Sequence, residues 1–407
     1  MTRRPALLML AALTALATLA TVPPARADDS ASCDETGPRY LPQTPDIIAS
    51  LAVERAWTLS EGESVLVAVV DSGVDGANPH LQGTMVPGID LVDPHGDGKT
   101  DAYGHGTAVA GLIAARKVDG SGLVGIAPRA KILPVRVYTV SPDDREGPKI
   151  DPDKLAEGIR RAAERRARII VVAASAPGDS QNGQLDNAVT EATRRGSLVV
   201  AAAGNVGDPG VPSDHEQSRF PASASDALSV TAVDQLGHPS DDVVRSALID
   251  IAAPGKAVLT TLPNGHDCVL SPDKASSSYA TAYVAGAAAL VASAFPNETP
   301  AQWADRLRTT ASRPRPIQDP EEVKRVGWGI VAPYAALNIE DVGAAPGPRS
   351  DPPSRQVPPP LRLSPPPATP HALLGTIGPI AGVTVVALIV VSLLKVRRRT
   401  ERKNPTP

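Results

Sequence analysis

The chain contains 407 residues, of which 42% are hydrophobic and 21% are charged, and its formal net charge at pH 7 is -4. These values are typical of a soluble globular protein of one or two domains. Because the charge balance is not basic, the composition gives no support for a nucleic-acid partner.

The first 27 residues have the layout of a secretory signal peptide. Two arginines precede an apolar segment over residues 6–22, and Ala25-Arg26-Ala27 fits the small-residue pattern of a cleavage site. The apolar segment is shorter than the roughly 20 residues of a membrane span. The sequence therefore predicts export, with residues 28–45 as an N-terminal extension of the mature chain.

The first predicted strand of the body covers Val65 to Val70, a continuous apolar run that ends at Asp71. Continuous runs of this kind are typical of parallel strands that are buried on both faces. Ligands of open parallel sheets bind beyond the carboxyl ends of the strands, which makes Asp71 a candidate catalytic residue. The alternative is an aspartate that only forms a turn.

A second candidate, His105, lies between two glycines and is followed by a run of small residues up to Ala115. Glycines permit a close approach of backbone or substrate, and the small residues predict a tightly packed helix that begins at the histidine. The other histidines lie in polar or loop-like surroundings.

Strands and helices alternate through the rest of the body. Strands are predicted over 131–137, 168–174 and 198–203, with weaker candidates over 229–233 and 248–253, and amphipathic helices over 155–168, 185–195 and 300–310. This alternation predicts one α/β domain over residues 46–340, with a mostly parallel central sheet covered by helices. Asn205 follows the third of these strands, where an asparagine before glycine is most often a turn residue.

Three serines, Ser276 to Ser278, lead into a predicted helix of small and apolar residues over 280–292. Unpaired N–H groups and the positive end of the helix dipole meet at such a helix start and stabilise negative charge there. Ser278 is therefore a candidate nucleophile. The alternative is that the serines only cap the helix.

The C-terminal part contains three segments. A proline-rich linker is predicted over 341–372, an uncharged apolar membrane span over 373–394, and a basic tail over 395–407. Because basic residues flank the cytoplasmic end of a span, we expect a single-pass membrane protein whose body lies outside the cytoplasm. Two cysteines in an exported chain most simply form one disulfide, between Cys33 and Cys268.

Three motifs carry a family resemblance. The chain order Asp71, His105, Ser278, with Asn205 between the histidine and the serine, resembles that of subtilisin-like serine proteases of the peptidase S8 family. The surrounding sequences also resemble the aspartate, histidine and asparagine motifs of that family. The signal peptide, linker, span and tail are similar to those of mycosins, the membrane-anchored members associated with type VII secretion in actinobacteria.

The resemblance implies a subtilisin-like three-layer fold and an endopeptidase that acts through an acyl-enzyme. No cofactor is predicted, and the sequence does not decide whether calcium binds. The resemblance implies that Asp71 orients the imidazole, His105 is the general base, Ser278 attacks the peptide carbonyl, and Asn205 donates to the oxyanion. It further implies protein or peptide substrates, the cytoplasmic membrane and a type VII secretion complex as partners. Ala27 and Asp71 are too close in the sequence to leave room between them for the folded inhibitory propeptide of many secreted members, so self-inhibition of that kind is not expected.

The sequence departs from the family pattern in two places. Ser276 replaces a glycine and Ala282 a proline around the nucleophile, and Val171–Ser175 lies where the family has Ser-Leu-Gly. The first departure is expected to affect the aim of Ser278, and the second the pairing with an extended substrate. The competing hypothesis is therefore a catalytically impaired domain that serves as a structural or binding subunit of a secretion complex.

Overall fold

The structure is a computed structural model that describes residues 39–140, 150–177, 182–208, 219–313 and 320–340. The chain divides into two compact units, residues 1–358 and 359–407, and all described residues belong to the first. The predicted signal peptide, proline-rich linker, membrane span, basic tail and Cys33 lie outside the described residues and stay predictions. Among the helices of the described part, none is both long enough and apolar enough to cross a bilayer.

Eleven strands occur in the described residues. They are β1 Leu66–Asp71, β2 Ile89–Asp90, β3 Lys131–Arg136, β4 Ile169–Val172, β5 Ala176–Pro177, β6 Leu198–Ala202, β7 Arg219–Phe220, β8 Ala227–Val233, β9 Ile251–Pro254, β10 Val258–Thr261 and β11 Asp267–Leu270. Seven of them form a parallel sheet in the order β2-β3-β1-β4-β6-β8-β9. The pairs β10-β11 and β5-β7 are small antiparallel sheets.

Nine α-helices occur in the same part of the chain. They are α1 Asp46–Ser50, α2 Val53–Trp57, α3 His105–Ala114, α4 Pro152–Glu164, α5 Asn182–Arg194, α6 Ser277–Ala294, α7 Pro300–Thr309, α8 Pro320–Val326 and α9 Pro333–Asn338. The predicted α/β class, with a parallel sheet between helices, is confirmed.

The two faces of the sheet belong to two separate hydrophobic cores. Val67 and Val69 of β1 pack in the core that contains α3 and α6, whereas Ala68 and Val70 pack in the core that contains α4 and α5. Successive side chains of a strand point to opposite faces, and both faces of this sheet are covered by helices. This explains why the strands read as continuous apolar runs.

Two predictions of local structure were inaccurate. The helix predicted over 155–168 spans Pro152–Glu164, because Arg166 has a left-handed φ of 60° that breaks the helix before β4. Its N-terminus is capped by Asp151, whose side chain accepts from the N–H groups of Asp153 and Lys154. The β10-β11 hairpin was not predicted, since each strand has only four residues and at most three consecutive apolar ones.

A buried contact between His80 and Asp267 joins β11 to the early part of the chain. His80 Nε2 lies 2.9 Å from Asp267 Oδ1 without the alignment of a hydrogen bond, and both side chains are fully buried. Asp267 Oδ2 accepts from the Leu41 N–H at 2.9 Å and from the Ser121 hydroxyl at 2.6 Å. The next residue, Cys268, is also buried, and its pairing with Cys33 stays a prediction.

Candidate active site

Asp71 is the last residue of β1, and its side chain is buried. Its Oδ1 accepts hydrogen bonds from the Ser72 N–H and the Tyr138 hydroxyl, each at 2.8 Å, and lies 2.8 Å from His105 Nδ1. Its Oδ2 has no hydrogen-bond partner within the described part of the chain. Three donors therefore converge on one oxygen of the carboxylate.

His105 is the first residue of α3 and reaches Asp71 because two glycines shape the start of the helix. Gly104 has a φ of 89°, in the left-handed region that glycine adopts readily. A Cβ on Gly106 would lie 2.0 Å from the Gly73 carbonyl oxygen, so any larger residue would push the helix away from the turn after β1. The local sequence thereby sets the approach of the imidazole to the carboxylate.

A second buried carboxylate, Asp101, organises the turn before His105. Its Oδ1 accepts from the Ser72 hydroxyl and the Gly104 N–H, each at 2.8 Å. Its Oδ2 accepts from the Thr107 N–H at 2.8 Å and from the Thr107 hydroxyl at 2.6 Å. Asp101 thus ties the first turn of α3 to the residue that follows Asp71.

The proton affinities of the pair are coupled. Burial acts to raise the pKa of Asp71, but the His105 charge and the hydrogen bonds from His105, Ser72 and Tyr138 outweigh burial and lower that pKa. Burial acts to lower the pKa of His105, but the adjacent Asp71 carboxylate outweighs burial and raises it, with help from Asp101 and Asp208. The Asp71 carboxylate therefore stabilises the imidazolium form of His105 relative to that of a free histidine.

Ser278 is the second residue of α6 and is buried, with 7% of its surface exposed. Its hydroxyl donates to the carbonyl oxygen of Ala173, just beyond β4, at 2.8 Å. The ring of the next residue, Tyr279, lies 5.8 Å from the His105 ring, so the serine and the histidine share one site. Within the described chain, Ser278 makes no hydrogen bond to His105 in this state.

The departures at Ser276 and Ala282 do not distort the helix that carries Ser278. Ser276 has an extended conformation, with φ -122° and ψ 124°, that any residue adopts. The close approach that requires a glycine is made by its neighbour, since a Cβ on Gly255 would lie 2.3 Å from the Ser276 carbonyl oxygen. Helix α6 runs unbroken through the buried Ala282. The expected misdirection of Ser278 therefore has no backbone cause here.

Asn205 contacts Ser277, the residue that precedes Ser278. Its Oδ1 accepts from the Ser277 N–H at 2.8 Å and from the Ser277 hydroxyl at 3.0 Å, while that hydroxyl accepts from the Gly204 N–H at 3.2 Å. These contacts direct the Asn205 Nδ2 group away from Ser277, where it lies 3.4 Å from Asp208 Oδ2. A substrate oxyanion would compete with that carboxylate for the amide.

The second departure, Val171–Ser175, begins in β4 at the centre of the sheet and continues past the end of the strand. Ser175 is bound to Arg219, whose Nε donates to the Ser175 hydroxyl at 2.9 Å and whose Nη2 donates to the Ser175 carbonyl at 3.0 Å. The Ser175 carbonyl, one backbone acceptor of the Val171–Ser175 segment, is therefore already bonded within the protein. The expected change in substrate pairing stays a prediction.

Sequence reasoning did not find Tyr138, Ser277 or Asp101. Tyr138 lies two residues past the end of β3, the neighbour of β1, so sheet order could have placed it near Asp71. Asp101 precedes His105 by four residues, a spacing compatible with a cap of the following helix. Nothing in the sequence marked Ser277 as the serine that binds Asn205.

No group of three or more His, Cys, Asp or Glu side chains suited to a metal lies among the described residues.

Residues 62–329, more than half of the chain, match the sequence model of the subtilase family. This chain belongs to the subtilase family. Thermitase of Thermoactinomyces vulgaris is 37% identical to it, with 59% of this chain and 78% of the relative covered. Mycosin-1 of Mycolicibacterium smegmatis is 31% identical, with 83% and 87% covered. The subtilase is thus a subtilisin-like serine endopeptidase that resembles the mycosins along most of its length.

Solved structures agree with this assignment. The crystal structure of MycP1 from Mycobacterium smegmatis superposes with a TM-score of 0.62 at 30% identity, covering 79% of this chain and 92% of that one. A chain of an intact ESX-5 inner membrane complex gives a TM-score of 0.63 at 26% identity, with 88% and 92% covered. The predicted subtilisin-like fold and the resemblance to mycosins are confirmed.

Proposed function

We propose that this subtilase is a membrane-anchored, extracytoplasmic endopeptidase linked to type VII secretion, in which Asp71, His105 and Ser278 form the catalytic triad. The observation that carries the catalytic assignment is the buried contact of 2.8 Å between His105 Nδ1 and Asp71 Oδ1. Because Nδ1 is engaged by the carboxylate, Nε2 is the imidazole nitrogen left to accept a proton from Ser278.

In the proposed reaction the Ser278 hydroxyl leaves the Ala173 carbonyl and gives its proton to His105 as Oγ attacks the carbonyl carbon of the substrate. Asn205 Nδ2 donates to the resulting oxyanion, and Asp71 stabilises the imidazolium. His105 then protonates the departing amine, which leaves Ser278 acylated. Water, deprotonated by His105, attacks the acyl group and releases the second peptide with regeneration of Ser278.

Labelling by a fluorophosphonate probe tests the catalytic assignment, because only an activated serine reacts with it. Full-length protein should be labelled, and Ser278→Ala should remove the label while circular dichroism stays unchanged. The match to the generic protease pattern is incomplete at Val171–Ser175, so we expect weak cleavage of casein-like substrates. Folded, disulfide-bonded protein that takes up no probe would contradict the proposal.

A second candidate function is a binding or scaffolding subunit of a secretion complex. The observation that favours it is the Ser278 hydroxyl, which donates to Ala173 and is not bonded to the imidazole. The absence of probe labelling would support this second function.

The membrane part of the proposal is supported by the sequence segments 1–27 and 373–394, by the mycosin relatives and by the similarity to a chain of the ESX-5 inner membrane complex. Protease added to intact protoplasts should digest the body and spare the tail after Lys395. Digestion of the tail with survival of the body would show that the proposed topology is wrong.

A further inference from the structure

Tyr138 is placed beside the Asp71–His105 pair by the backbone. The Val137 N–H donates to the Asp71 carbonyl at 2.9 Å, which extends the pairing of β3 with β1 by one residue. The Tyr138 side chain is 5% exposed, and its ring packs against that of Tyr103 with centroids 6.2 Å apart. Its hydroxyl lies 2.8 Å from Asp71 Oδ1 and 3.4 Å from His105 Nδ1.

We propose that Tyr138 is a positioning residue of the active site, whose hydroxyl donates to the same Asp71 oxygen as His105 and so sets the orientation and proton affinity of the imidazole. This inference rests on the proposed function of the site. Burial and the Asp71 charge raise the pKa of Tyr138 well above its usual value, so the hydroxyl stays protonated and can only donate to the carboxylate.

The electrostatic consequence has a definite sign. A donor on Asp71 Oδ1 partly neutralises the carboxylate and weakens its pull on the His105 proton. Removing the donor should therefore raise the pKa of His105. The other charged or titratable groups around the imidazole are unchanged by this substitution: Asp71 after β1, Asp101 and Tyr103 before α3, Asp208 after β6, and Tyr279 on α6.

The test compares Tyr138→Phe with the full-length wild type. The substitution keeps the buried ring and removes only the hydroxyl. We expect kcat to fall about 10-fold, the size of one hydrogen bond to a charged group, with little change in KM. The acid limb of the pH profile should move to higher pH. The matched control is Tyr283→Phe, which removes the hydroxyl of a buried core tyrosine on α6. This control should change neither kcat nor the acid limb of the pH profile.

The titration of His105 by nitrogen NMR, in protein labelled at histidine and purified in detergent, gives a readout that needs no turnover. Its midpoint should be higher in Tyr138→Phe than in the wild type. This measurement tests the inference even if the chain takes up no fluorophosphonate, so the two failures can be distinguished. An unchanged midpoint, whether or not kcat falls, would reduce Tyr138 to a packing role and overturn the proposal.

Discussion

Ser277 gives a direct test of how the site holds Asn205, the proposed oxyanion donor. Two donors of this residue fix Asn205 Oδ1, the backbone N–H at 2.8 Å and the hydroxyl at 3.0 Å. Ser277→Ala removes only the second, so the backbone N–H alone then fixes the orientation of the amide. Because a neutral hydrogen bond is worth about 1 kcal/mol, we expect kcat to fall about 5-fold. The loss should be far smaller than the 10²- to 10³-fold that is usual when an oxyanion donor such as Asn205 is removed outright.

The same substitution should also lower the free energy of unfolding. The buried Ser277 hydroxyl accepts from the Gly204 N–H at 3.2 Å, and alanine would leave that backbone donor without this partner. An unsatisfied buried donor costs about 1 to 3 kcal/mol. Urea denaturation of the two proteins measures this cost separately from catalysis.

The assay is steady-state hydrolysis of a peptide amide, in which kcat is compared among wild type, Ser277→Ala, Ser277→Thr and Asn205→Ala. Threonine keeps the hydroxyl, so Ser277→Thr should retain nearly the wild-type rate and stability. A Ser277→Ala enzyme with the wild-type rate would show that the backbone N–H alone holds the amide. A rate as low as that of Asn205→Ala would show that Ser277 acts by some route other than one hydrogen bond to Asn205.

Three further predictions concern pH, stability and covalent structure. The Asp71 carboxylate outweighs burial and raises the pKa of His105 above its ordinary value, and the base is lost when the imidazole is protonated. The value of kcat/KM should therefore fall with decreasing pH at a midpoint above the usual histidine pKa of about 6.5, and a lower midpoint would contradict the pairing. His80→Ala removes a fully buried imidazole that contacts Asp267 and the Arg116 carbonyl oxygen, and the buried partners left unsatisfied should cost about 1 to 3 kcal/mol in urea denaturation. The exposed Arg129→Ala should cost under about 1 kcal/mol, and equal costs would refute the comparison. Denatured but unreduced protein from the cell surface should show no alkylation at Cys33 or Cys268, whereas two reactive thiols would disprove the disulfide.

The sheet could be predicted from the sequence because its strands are buried on both faces. Four of the parallel strands are runs of four to seven mostly apolar residues. Asp71 ends one of them, Asn205 follows another, and His105 begins helix α3 at the same edge of the sheet. The role of Tyr138 could not be predicted. Its hydroxyl reaches Asp71 only because β3 pairs laterally with β1, and the sequence alone does not show which strands are neighbours. The conformation of Ser276 was also beyond the sequence, since the close approach at this point is made by Gly255 from a distant loop.

Helix α6 separates the nucleophile from the place where the described chain leaves the domain. Its 18 residues span about 27 Å, with Ser278 at one end and Ala294 at the other. Just beyond Ala294, Glu298 binds Arg306, which also donates to the carbonyl oxygen of Ile339 at 2.6 Å. The last described residues therefore lie about one helix length from Ser278. In the proposed membrane-anchored protein, shortening or lengthening the predicted linker over 341–372 should change how far from the membrane Ser278 can act.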